Sequence, residues 1–192
     1  MKEMNRREFL TLTGAAVVAL SLAGCGGGPS APPAPAAPTG KEAELLAAIN
    51  KVWKEKFDAN LVDHEQLTLN QEAQGAIKIQ GGIFENAQKP AHTPTIDDRK
   101  KLAEITVWEQ TMRQKYDLGG AAGVSEPSSE PSNEGEISLT FEYSCDNAVV
   151  QQFVGKIMEY SLSRKAEFIS IYCPVVQSRT YMIATVFWNK TA

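Results

Sequence analysis

Histidine and cysteine are scarce in this chain, two and three respectively in 192 residues. That leaves little material for a metal centre. His64 stands between Asp63 and Glu65, but adjacent residues rarely converge on one ion. No Gly-x-Ser-x-Gly string is present, and Ser161, Ser163 and Ser170 have no histidine nearby in sequence, so a serine hydrolase lacks support. Gly26 to Gly28 and Gly119-Gly120 do not stand between a strand and a helix with a following Lys-Ser/Thr, which removes a phosphate-cradling loop. The net charge is −4 and no basic block follows the N-terminal region. Nucleic acid is therefore excluded as an expected partner. No apolar run reaches the roughly 20 residues that a transmembrane helix needs.

What the N-terminus does contain is an address. Arg6-Arg7-Glu8-Phe9-Leu10 is followed by a charge-free stretch to Gly24 and then by Leu22-Ala23-Gly24-Cys25. A basic start, an apolar centre and small residues before a cysteine describe a bacterial export signal. The arginine pair resembles the twin-arginine export motif, with Asn5 where Ser or Thr is usual. Leu-Ala-Gly-Cys resembles a lipobox, which implies cleavage after residue 24 and lipidation of Cys25. Lipid chains contribute about 0.8 kcal/mol per buried methylene, enough in number to hold a domain on a bilayer. Residues 25 to 40 read as a tether, three glycines and then a Pro/Ala-rich spacer that favours extended polyproline II. Residues 41 to 192 are expected to form one domain, exported and lipid-anchored at the bacterial cell envelope.

In an oxidising compartment Cys145 and Cys173 are expected to pair as a disulfide. The closed loop of about 28 residues corresponds to roughly 3 kcal/mol of stabilisation.

Within the domain, Leu45, Leu46, Ile49, Val52, Trp53 and Phe57 fall at helical spacing over Lys41 to Phe57. Thr39 is a candidate N-cap. Thr68 and Gln71 resemble a capping box opening a second helix that stops at Gly81-Gly82. A third helix is predicted from Asp97 to Tyr116, with its acidic first turn at the favourable end of the dipole. The span from Gly123 to Gly135 is rich in Ser, Pro, Glu and Gly and reads as a loop. Ile137, Leu139, Phe141 and Tyr143 alternate as in a half-buried strand. A helix capped by Asp146 or Asn147 carries Val149, Val150, Phe153, Val154, Ile157 and Met158 on one side. Phe168 to Val176 and Thr180 to Trp188 predict a hairpin turning at Gln177-Ser178-Arg179. This order gives an α+β fold, an antiparallel sheet covered by helices.

Four stretches carry a family resemblance. Glu44 to Asn50, Leu67 to Ala76, Gly135-Glu136-Ile137 and the closing strands Ile169 to Ile171 and Tyr181 to Phe187 resemble the CAP superfamily of cysteine-rich secretory, antigen-5 and pathogenesis-related proteins. The resemblance implies an α-β-α sandwich with a central antiparallel sheet. It also implies a cleft in which Glu136 and His92, followed by Thr93-Pro94, are the candidates for catalysis or for holding a divalent metal. The second cleft histidine has no counterpart, since Leu162-Ser163-Arg164-Lys165-Ala166 stands where a Gly-His-Arg string is usual. The expectation is therefore a non-enzymatic domain without a cofactor, binding a lipid, glycan or protein ligand at the envelope. The alternatives are a metal-assisted or hydrolytic enzyme using Glu136 and His92, and an unrelated α+β ligand-binding lipoprotein. Phe84 to Pro94 and Gly123 to Gly135 are the expected binding loops.

Overall fold

A computed structural model describes residues 40–125 and 135–190, without the side chains at 105–109 and 111. All described residues belong to one compact unit. The export signal, Cys25, the tether, Thr39, the Trp108 side chain and most of the Ser/Pro/Glu loop lie outside the description.

Helix α1 (Lys41–Asp58) buries Leu45, Ile49, Val52 and Trp53, as its spacing predicts. Strand β1 (Thr68–Leu69) follows, and Asn70 caps α2 (Gln71–Ala87) by accepting the Ala73 N–H. Thr68 thus joins the sheet, and the cap falls two residues later than the sequence pattern places it. Helix α2 also runs through Gly81-Gly82. A Cβ at Gly81 would lie 2.4 Å from the Tyr172 ring, so this glycine admits the sheet to the helix surface and ends nothing. The true end is Gln88, in the left-handed region at φ 51°.

Strand β2 (Ala91–His92) leads into α3 (Ile96–Met112). The predicted helix extends to Tyr116, but the chain leaves it at Met112 and enters strand β3 (Tyr116–Ala122). Two glycines make that strand possible. A Cβ at Gly120 would meet the Ile157 carbonyl oxygen at 2.4 Å, so only a bare backbone fits beneath the neighbouring helix. That helix is α4 (Asn147–Met158), which follows β4 (Ile137–Ser138) and buries Val150, Phe153, Val154 and Ile157. The predicted strand from Ile137 to Tyr143 keeps its alternation, but beyond β4 only Leu139 and Glu142 make single bridges.

A short 3₁₀ turn (Ser163–Lys165) precedes β5 (Phe168–Tyr172), β6 (Val175–Val176), β7 (Arg179–Thr180) and β8 (Ile183–Asn189). The hairpin is where the sequence predicts it. Val176 pairs with Arg179, and Gln177 and Ser178 both have positive φ, 50° and 66°, the backbone of a type I′ turn.

The fold is α+β. The main sheet has the order β1-β5-β8-β3. β5, β8 and β3 are antiparallel, while β1 runs parallel to β5, so the sheet is mixed. No hairpin joins β1 to β5. Three helices intervene, and such long connections permit parallel pairing. Side chains alternate across the sheet. Ile169, Ile171, Ala184 and Val186 enter the core shared with α1 and α4. Phe168, Tyr172, Ile183 and Phe187 face α2 and the end of α3. Helices therefore cover both faces.

Candidate functional site

One row of short side chains crosses three strands on the α2 face. Ser170 on β5 is the register partner of Thr185 on β8, which is the partner of Ala121 on β3. Larger groups flank this row: Phe168 and Phe187 on one side, Tyr172 and Ile183 on the other. Helix α2 lies above it and presents Ala73, Ala76, Ile77 and Gln80 at helical spacing. Two alanines over a serine and a threonine cannot fill the gap between helix and sheet. A cavity of about 80 Å³ remains, bounded at one end by Met112, Arg113 and Tyr116.

The cavity is partly polar. Ser170 is only 2% exposed. Among the described residues its hydroxyl, the Thr185 hydroxyl and the Gln80 amide have no hydrogen-bond partner in the protein, and no buried side-chain polar atom is sealed from solvent without one. The Ser170 hydroxyl therefore opens into the cavity. Thr185 and Gln80 are half-buried and reach solvent, while Ser170 is buried. A buried hydroxyl on a cavity wall with no partner in the protein is the strongest sign of a ligand surface here. The apolar wall is held firmly: Tyr116 meets Phe168 and Phe187 edge-on, with centroids 5.6 and 5.4 Å apart. Arg113 and Asp117 stand at the mouth.

The residues singled out from sequence lie elsewhere. His92 Nε2 is 2.7 Å from Asp98 Oδ2. The same carboxylate oxygen accepts the Thr95 N–H at 2.9 Å and the Thr95 hydroxyl at 2.7 Å, while Thr95 Oγ1 accepts the Asp98 N–H at 3.3 Å. This is a capping box at the start of α3, with His92 as a third partner. It holds the Asp98 carboxyl down at about 2, first through His92 and then through Thr95, against the opposing effect of burial. Ile137 is the register partner of His92, so the backbone of Glu136 lies close by. No hydrogen bond or ion pair joins the two side chains. Among the described residues, no three His, Cys, Asp or Glu side chains gather where one ion could sit.

The three residues at 63–65 turn to three different partners. Asp63 pairs with Arg164 at 2.7 Å, Glu65 pairs with Lys54 at 2.9 Å, and the His64 carbonyl accepts Trp53 Nε1–H at 3.1 Å. Cys145 and Cys173, expected to bond, are both free thiols in the structure. Cys145 is exposed, with Sγ 3.3 Å from the Tyr143 hydroxyl, which also donates to Glu44 at 2.7 Å. Cys173 packs into the core, where burial and then Glu42 push its thiol up to about 12.

Sequence reasoning missed Ser170, Thr185 and Gln80 as a group. Nothing local marks them, because their meeting depends on strand register and helix placement. Among the described residues, no helix is long and apolar enough to cross a membrane. Comparison of the chain with protein-family models, with curated proteins and with solved structures finds no match.

Proposed function

We propose that this chain is an exported, lipid-anchored binding protein of the bacterial cell envelope, with a divergent CAP-like domain displayed on a tether from Cys25. The cavity beneath α2 carries this reading, because Ser170, Thr185 and Gln80 line it without hydrogen-bond partners among the described residues. The N-terminal string from Arg6 to Cys25 supports export and anchoring. Helices on both faces of the sheet are the arrangement the CAP resemblance implies. His92 argues against the enzymatic alternative, since its ring nitrogen is engaged in capping α3.

Two measurements test the reading. The full chain expressed in a bacterial host is expected in the membrane fraction, with Cys25→Ser released to the soluble fraction. Equal partition of the two would remove the anchor. Immobilised full chain is then exposed in turn to lipid, glycan and protein fractions of the envelope. One fraction should be retained, and Gln80→Trp, which blocks the cavity mouth, should reduce that retention. Retention of nothing, or equal retention by the variant, would overturn the binding role.

A further inference from the structure

The chemistry of the cavity walls narrows the ligand, and this step rests on the binding role proposed above. Each hydroxyl can donate one hydrogen bond and accept two, and the Gln80 amide both donates and accepts. A matching ligand must carry donors and acceptors together. An acyl chain carries neither, and laying one over Ser170 and Thr185 would strip both hydroxyls of water without replacing its hydrogen bonds. A phosphate or a nucleotide needs several cationic or N–H donors, and among the described residues Arg113 is the one cation lining the cavity. Beside the two hydroxyls, on the same face of the sheet, Phe187 and Tyr116 form an aromatic flank that suits a small body with an apolar C–H face. The space of about 80 Å³ is open to solvent on one side, so it takes part of a single ring and leaves the rest of a ligand outside.

We infer that the cavity beneath α2 receives a single pyranose ring of an envelope glycan. Its hydroxyls meet Ser170, Thr185 and Gln80, and its C–H face lies against Phe187 and Tyr116. A sugar ring combines the required features, since hydroxyls around its rim both donate and accept while its faces remain apolar. Arg113 and Asp117 at the mouth are placed to meet the neighbouring sugar units.

The test is titration of the full chain, in a detergent without a sugar headgroup, with N-acetylglucosamine, its β-1,4 disaccharide and glucuronate. Octanoate serves as the hydrocarbon probe, and the backbone amide resonances of Ser170, Thr185 and Phe187 are followed. Saturable shifts with at least one sugar are expected, larger for the disaccharide if it is the match. Ser170→Ala and Thr185→Val should each weaken that binding by about tenfold. Their thermal midpoints should stay level or rise, because neither hydroxyl has a hydrogen-bond partner among the described residues. A loss of stability in both variants would mean the hydroxyls are structural and would overturn the inference. So would saturation by octanoate alone, which leaves a binding cavity with a different ligand. Silence from all four probes, while an envelope fraction is still retained in a Gln80-dependent way, would defeat the sugar and spare the binding role.

Discussion

His92 and Asp98 meet across the start of α3, Nε2 to Oδ2 at 2.7 Å, and the carboxylate they share with Thr95 fixes where that helix begins. The contact has a consequence in acid. Asp98 titrates at 3.8 unperturbed and at about 2 in the folded protein, so folding favours its charged form. The resulting stabilisation is complete above about pH 4 and is lost as pH falls through about 2. Asp98→Asn should lower stability at neutral pH by about 1–2 kcal/mol. It should also flatten the pH dependence of the thermal midpoint between pH 4 and 2. An unchanged acid profile in the variant would show that the contact contributes nothing.

The turn between β6 and β7 places two non-glycine residues at positive φ, Gln177 and Ser178. A type I′ turn prefers Asn-Gly, whose backbone reaches this region at lower cost. The double substitution Gln177→Asn, Ser178→Gly should raise stability by about 0.5–1 kcal/mol in denaturant unfolding. A fall would show that the Gln177 and Ser178 side chains contribute more than the turn preference.

Two glycines provide a paired test of packing. Gly120→Ala drives a methyl against the Ile157 carbonyl, a backbone atom that cannot step aside, and should cost about 2–3 kcal/mol. Gly155→Ala, in α4 with open space around it, should instead stabilise by about 0.5–1 kcal/mol. Equal effects at the two sites would contradict the close approach of α4 to β3.

The thiols differ in reactivity for a physical reason. Cys173 is buried and its thiol is pushed up to about 12, whereas Cys145 is exposed. Alkylation of the native reduced protein should modify Cys145 alone, and denaturant should release Cys173 as a second site. Protein recovered from the envelope that takes no label at these positions until reductant is added would carry the bond between them.

Much of the architecture was legible because it is local. The apolar spacing of Leu45, Ile49, Val52 and Trp53 implies α1 without reference to anything else, and Val150, Phe153, Val154 and Ile157 do the same for α4. Two β-rich runs around Gln177-Ser178 imply the hairpin. Helical and strand periods are properties of neighbouring residues, so α+β follows from the chain alone. The N-terminal string, read the same way, yields an expected address.

Tertiary structure decided the rest, because register and close approach are relations between distant residues. Tyr116 to Ala122 reads as a helix end with a glycine stop, yet becomes a strand because β8 offers a partner and α4 leaves room only for glycine above Gly120. Gly81 reads as a terminator and turns out to be a helix–sheet contact beside Tyr172. His92 and Glu136 are site candidates by residue type, but His92 is held in the α3 cap and no hydrogen bond or ion pair joins it to the Glu136 side chain. Ser170, Thr185 and Gln80 are unremarkable in sequence, 15 residues apart and more. They become one polar surface only when β5 aligns with β8 in a single register and α2 crosses above with alanines that leave the space open.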